Sequence, residues 1–445
     1  MNLSLPVLVV ALPSVSAMIL ALVPSWRTGT WVNAAAATLL FLLTCLLPWH
    51  PREHSFVLEA GPPETIMTLL TSFVAMTTSW FSSRYIAAAF AQRLIDPLRA
   101  RIYHVAYQAF VATLLCALLS DNWPLTWLML VASIAACAVL TGLPLTETAL
   151  AAAWRMLLQC GAALMITLFG ILALHMAAEL NGLSLHWSEL TQAHHLNPAA
   201  LNLACIFLIV GCGALAGLLP LHSWLPDTAA EAAAPGAILL STLLMNVPLL
   251  IILRVRIVAA TSSSVTLLLL TLGLASLLLA ACSVSARSEA RRMVAFVGMS
   301  QAGVVVFAFG LGTPTTISAG LLLMTLLALA RSSVLQCDYL VPTQPAQWTR
   351  AASLAVLAAL PLFALLLTAG ATIGYAPWLM VPLAGGVLLV TWALAGGAAK
   401  PMSDSQIHAV LTLVPIWLQL AITVLLALAV PGSVAAWFQA LARAS

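Results

Sequence analysis

Residues 213–235 read GALAGLLPLHSWLPDTAAEAAAP and place His222, Asp227 and Glu231 between two strongly apolar stretches. An imidazole and two carboxylates are groups that exchange protons, and their pKa values are readily moved by surroundings. Pro220, Pro226 and Pro235 punctuate the segment. Each breaks helical continuity and frees backbone carbonyls, so the segment could form a wet entry for protons. It reads equally as a polar loop with proline turns. Arg331 follows LLLMTLLALA and precedes SSVLQ. A cation at a bilayer centre costs about 2.5–3.5 kcal/mol on insertion scales. Arg331 is therefore either a buried cation in a hydrophilic channel or a side chain that snorkels to a helix end. A third group, His186, Glu189, His194 and His195, lies in NGLSLHWSELTQAHHLNPA. No ligand spacing there compels a metal, and none is expected.

These residues must be held by membrane helices. Only 29 of 445 residues are Asp, Glu, Lys or Arg, and 63% are hydrophobic. A soluble domain carries roughly 25% charged residues, so this chain cannot cover itself with a polar surface. Apolar runs of about 20 residues indicate helices, and alternating barrel strands are absent. The expectation is an all-α polytopic protein forming one membrane domain over 1–445. Fourteen spans are expected, near 3–23, 30–48, 64–82, 104–120, 123–141, 152–178, 200–221, 236–254, 263–284, 293–311, 314–335, 352–371, 376–397 and 408–430. The first is expected to be a retained span, and 431–445 an interfacial tail. The longest connections, 49–63, 83–103, 179–199 and 336–351, are too short for a catalytic module.

Loop charge orients the bundle. With fourteen spans and an outward N-terminus, the inner side holds Arg27, Arg84, Arg93, Arg99, Arg101, Arg155, Arg287, Arg291, Arg292, Arg350 and Lys400. The outer side keeps Arg52, Arg254, Arg256 and Arg443. That asymmetry obeys the positive-inside rule and gives a multi-pass protein with its N-terminus outside. The eight cysteines are scattered singly, with no CxxC pair, so neither zinc nor an iron–sulfur cluster is supported. No nucleotide fingerprint occurs, no cofactor is expected, and a net charge of +3 gives no case for nucleic acid. Trp123 and Trp127 read as interface anchors beside a tight turn at Asp121–Asn122. Asn246 reads as a hydrogen-bonding group between helices. Glycines at 211, 213 and 217 before Pro220 predict a break in the seventh span.

The segment PLHSWLPDTAAEAAAPGAILLSTLLMNVPLLIILR, residues 220–254, resembles the PLHxWLPDAxxEAPTPVSALL signature of antiporter-like proton-channel subunits. These occur in respiratory complex I, cation/proton antiporters and energy-converting membrane hydrogenases. IYHVAYQAFVATLLCALLSDN, AAAWRMLLQCGAALMITLFGILAL and ARRMVAFVGMSQAGVVVFAFGLG are similar to the hydrogenase branch, the large membrane subunit of formate-hydrogenlyase-type complexes. The resemblance runs over about 100–340. It implies N-terminal helices in 1–100, inverted five-helix repeats in 104–254 and 263–397, and a C-terminal helix and tail in 408–445. It also implies one discontinuous helix per repeat. His222, Asp227, Glu231, Asn246 and Arg155 match the family pattern or replace it conservatively. Four positions depart from it. The resemblance places a glutamate at Val131, a lysine at Leu215 and histidines at Ala229 and Leu327, while Arg331 stands for a lysine.

Valine, leucine and alanine cannot carry protons, and arginine stays charged. Gln301 and Thr325 could order water but store no charge. The expected path is therefore reduced to His222, Asp227, Glu231 and Arg331. By resemblance, the chain is a subunit of a respiratory or hydrogenase-like complex in an inner membrane. It would sit with other integral membrane subunits and a soluble catalytic module, with pumping reduced or absent. The alternatives are a non-pumping anchor and an ion-coupled partner in an inorganic-carbon uptake complex. Nothing in the residues transfers electrons, so the chain is at most a non-catalytic subunit of an NADH:quinone oxidoreductase- or hydrogenase-like complex, without redox activity of its own.

Overall fold

Long apolar runs become long helices here because a backbone in lipid must satisfy its own hydrogen bonds. The computed structural model describes residues 4–49, 54–55, 57–179, 182–192, 197–285, 289–339, 344–397 and 413–428. In chain order the helices are α1 (Leu5–Leu22), α2 (Trp26–Thr44), α3 (Pro62–Ala91), α4 (Pro97–Leu119), α5 (Trp123–Gly142) and α6 (Glu147–Glu179). Then come the short α7 (Trp187–Gln192), α8 (Pro198–Leu215), α9 (Trp224–Glu231), α10 (Ala234–Leu239) and α11 (Asn246–Val258). The remainder are α12 (Ser263–Ser285), α13 (Ala290–Leu311), α14 (Pro314–Cys337), α15 (Gln344–Tyr375), α16 (Met380–Gly397) and α17 (Val414–Leu428). A two-residue antiparallel pair, β1 (His54–Ser55) with β2 (Leu58–Glu59), sits in the connection before α3.

Twelve helical stretches among the described residues are long and apolar enough to cross a membrane. The protein is a multi-pass, all-α membrane protein. The thirty-residue α3 is outside that set, its hydropathy lowered by buried threonines and serines, and α17 is shorter. Helix starts follow local chemistry. Asp96 accepts from the Arg99 amide at 2.7 Å, Asn122 from Leu125 at 3.0 Å and Asn197 from Ala199 at 3.0 Å. Each cap precedes a proline in the first turn, where its missing N–H costs nothing.

The stretches Ala234–Val258 and Arg291–Leu311 are buried throughout their apolar windows and form the centre. The N-terminal pair α1 and α2 lies outside, about one third buried. α12 and α13 meet backbone to backbone. A Cβ on Gly273 would sit 2.6 Å from the Gly303 carbonyl, and one on Gly303 would sit 2.7 Å from the Gly273 carbonyl. Small residues allow this approach, which supplies dispersion contact where lipid removes any hydrophobic drive.

Two expectations are corrected. The long 83–103 connection is only 92–96, because Asp96 and Pro97 start α4 about two turns early and α3 runs on to Ala91. No second discontinuous helix occurs among the described residues: α15 is continuous through Pro361. A single proline removes one hydrogen bond, and no glycine precedes Gly370 in that helix to release the chain. Of the expected span 408–430, only residues 413–428 are among those described, and the tail 431–445 lies outside them.

Candidate functional site

The seventh span is broken as the glycines predict. Gly211 and Gly213 stay helical, and α8 ends at Leu215. The Leu218 N–H bonds to the Gly213 carbonyl at 2.8 Å, with Gly217 at φ +76°. That left-handed closure suits glycine, and a Cβ at 217 would come within 2.7 Å of Leu225. The chain re-enters as α9 under two bridging bonds. Gln159 of α6 accepts from the Trp224 amide at 3.0 Å, and the Trp224 indole donates to the Ala214 carbonyl at 3.1 Å across the break.

α9 delivers the carboxylates to a rim of charge. Arg155 of α6 donates to Asp227 at 2.8 Å, while Arg292 of α13 lies 3.9 Å from both Asp227 and Glu231. Glu289 comes within 2.8 Å of Arg292 Nε, at an angle too poor for a hydrogen bond. The rim is half-open: the Arg155 side chain is 62% exposed. His222 stands apart, its Nδ1 3.3 Å from the Pro220 carbonyl. Alongside, Arg291 donates to the Ala230 carbonyl at 2.8 Å and lies 3.6 Å from Asp338.

Arg331 is buried rather than snorkelling. Its Nε donates to the Leu327 carbonyl at 3.2 Å, and Nη1 reaches Met245 Sδ at 3.1 Å. Met245 is presented by a π-helical turn, Leu240–Leu244, between α10 and α11. On the other side Gly298 makes room: a Cβ there would sit 2.5 Å from Nη1. No described carboxylate pairs with Arg331. Elsewhere in the interior lie further hydroxyls and amides. Gln419 of α17 donates to Thr77 at 2.7 Å and to Ser332 at 3.0 Å, and accepts from Ser333 at 3.1 Å. Both amide atoms of Gln301 and the hydroxyls of Thr68, Thr71, Thr78 and Ser241 are buried without a protein partner. Asn246 donates to Thr242 of its own π turn at 3.2 Å, not to a neighbouring helix. The turn leaves that carbonyl open to it.

Of the departing positions, Leu215, Ala229 and Leu327 are buried, and Val131 is half-buried on α5. α5 and α8 each pack on α6. At the opposite end of the bundle lies an ion pair that sequence reasoning missed. Arg254 Nη2 donates to Glu64 at 2.9 Å with both side chains under a tenth exposed, and Nη1 donates to the Ser120 carbonyl at 3.0 Å. Arg254 is thus a neutralised interior residue, not a loop charge. The next residue, Asp121, accepts from the Ser188 amide and hydroxyl at 2.9 and 2.7 Å, with His186 3.3 Å away. Trp123 is buried against Trp187, not placed as an anchor. The Ser184 amide and hydroxyl hold the Glu189 carboxyl below its usual range. His194 and His195 fall outside the described residues, and among those described no cluster suited to a metal occurs.

Residues 120–412 match the family model described as NADH:quinone oxidoreductase/Mrp antiporter, transmembrane region. The chain belongs to this family. The antiporter-like subunit is 31% identical over 334 residues to a hydrogenase-4 component F homolog of Methylacidiphilum infernorum, covering 73% of this chain and 70% of that one. A match to formate hydrogenlyase subunit 3 of Escherichia coli is 30% identical over 105 residues, 23% of this chain and 17% of that protein. Its fold matches a chain of the Mrp complex of Dietzia sp. DQ12-45-1b with a TM-score of 0.83 at 14% identity, covering 99% and 97% of the two chains. It matches a chain of respiratory complex I of Thermus thermophilus at 0.81 and 18%, covering 99% and 98%. Within this antiporter-like fold, the broken segment and its carboxylate rim are what the 220–254 signature builds.

Proposed function

We propose that this antiporter-like subunit serves a respiratory or hydrogenase-like complex of an inner membrane as a subunit that conducts protons weakly or not at all. One observation carries the reading. Between the carboxylate rim at one end and the Glu64–Arg254 pair at the other, Arg331 is the one charged side chain among the described residues, and no carboxylate faces it. Apart from the His104 imidazole, buried between α4 and α2 with Thr30 3.2 Å away, protons then have only hydroxyls, amides and the water they hold to cross that interval. Hydroxyls and amides can relay a proton but cannot store one, and His104 forms no ion pair with a described residue, so coupling to a charge switch is lost. Buried Leu215, Ala229 and Leu327 deepen the gap. His222, Asp227 and Glu231 act as a surface relay and docking rim. The N-terminus faces outward, which puts that rim on the inner side with most of the basic residues. The partners are other integral membrane subunits and a soluble catalytic module, as the 31% identity to a hydrogenase-4 component F homolog supports.

The test is proton flux into proteoliposomes carrying the purified full chain, measured beside its co-purifying partners. Flux near that of empty vesicles, with normal assembly, is expected. Robust flux that falls on substituting Asp227, Glu231 or Arg331 would overturn the reading. Quinone or hydrogen turnover by the single chain would overturn its non-catalytic assignment.

A further inference from the structure

A sizeable cavity lies away from the carboxylate rim. It is a groove of about 890 Å³ between α2 and α3, open on the outer surface of the bundle. That places it toward the upper end of ligand-site volumes, which run roughly 300–1,000 Å³. Its lining is divided. Trp31, Ala34, Leu39 and Leu42 run along α2 as an apolar trough, while Arg27 near the start of α2 and Arg84 toward the end of α3 supply its two cations. The floor is closed by Trp80, whose indole donates to Thr38 at 3.1 Å. At the Arg27 end it is closed by the Trp26–Phe90 stack, with centroids 4.8 Å apart.

Both arginines are exposed, and neither forms an ion pair with a described residue. This contrasts with Arg155, Arg254, Arg291 and Arg292, each of which has a carboxylate partner. From Arg27 to Leu42 the trough runs roughly 22 Å along the helix, more than one leaflet of a hydrocarbon core about 30 Å thick. Two unpaired guanidinium groups over an apolar trough of leaflet length are complementary to one kind of molecule. Arginine forks match phosphate oxygens, and the trough takes acyl chain.

We propose that the α2–α3 groove is a binding site for an anionic glycerophospholipid, its phosphate held by Arg27 and Arg84 and an acyl chain laid along α2 toward Leu42. The bound lipid fills the seam between α2 and α3 and offsets one of the two positive charges there.

The test is native mass spectrometry of the delipidated full chain back-titrated with palmitoyl-oleoyl phosphatidylglycerol, and separately with phosphatidylcholine of the same chains. Wild type should retain the first lipid in preference to the second. R27Q/R84Q should weaken phosphatidylglycerol retention by about 30-fold, at about one interfacial cation's worth of attraction each, and phosphatidylcholine, whose choline already offsets its phosphate, by much less. R93Q, an exposed arginine outside the groove, should bind as wild type. Ala34→Phe should block both lipids while Arg27 and Arg84 remain. Equal retention of the two lipids by wild type would overturn the site, as would an equal loss in R93Q. A photo-crosslinker at Leu42 captured by a partner subunit's helix instead of lipid in the intact complex would also overturn it.

Discussion

Two ion pairs of nearly the same length stand at opposite ends of this bundle. Arg155–Asp227 spans 2.8 Å and Arg254–Glu64 spans 2.9 Å, yet the first has side chains 62% and 25% exposed and the second 7% and 8%. Distance alone does not separate a rim from a tie. At the open rim water screens the charges and either partner can leave without stranding the other, so the pair contributes about 0–1 kcal/mol. At the closed end both charges have lost water, and each depends on its partner and on the Ser120 carbonyl. The rim is therefore free to exchange protons and partners, while the tie fixes α11 against α3.

The strongest way to break this contrast is Glu64→Ala. It leaves Arg254 buried and unpaired, and a loss of about 3–5 kcal/mol is expected, read as collapsed folded yield on size-exclusion chromatography. Glu64→Ala with Arg254→Met should recover most of that yield. If the single variant purifies normally, the closed end is not a tie. Gly298→Ala comes next. Its methyl would press on Arg331 and should cost about 1–3 kcal/mol by thermal melting, relieved when Arg331→Met is added. A third variant, Gly217→Ala, forces a side chain into the left-handed region at the break and should cost about 1–2 kcal/mol. An unchanged melt would show that the break tolerates another closure. The smallest effect is expected for Arg155→Ala: under about 1 kcal/mol in stability, with melting indistinguishable from wild type at 0.15 M salt. A large drop there would show that the rim is structural.

The helical architecture was legible because its signals are local. Apolar runs and a glycine cluster before Pro220 each specify structure within a few residues, and α8 does end there; the Asp96–Pro97 cap is as local but went unread. The carboxylate rim was half legible. Asp227 and Glu231 stand in one motif, but Arg292 joins them from α13, and no spacing announces that. Glu64 and Arg254 lie 190 residues apart and read separately as a helix start and a loop charge. Arg331 was an even choice between burial and snorkelling. Gly298 and Met245, which decide it, belong to other helices. The expected second break came from the resemblance and not from local residues: α15 around Pro361 lacks the glycines that release the first one.

Gln419 has a consequence for how the chain is made. Its amide bonds to Thr77, 342 residues earlier. At a synthesis rate of about 5–20 residues per second, Thr77 is in place for roughly 20–70 s before that partner leaves the ribosome. During the wait its hydroxyl is turned back on α3, bonding to the Phe73 carbonyl at 3.0 Å. Thr77 thus enters lipid with its own hydroxyl proton already satisfied and a lone pair to spare. The last described helix then closes the bundle by adding a donor to a bond that never has to be undone.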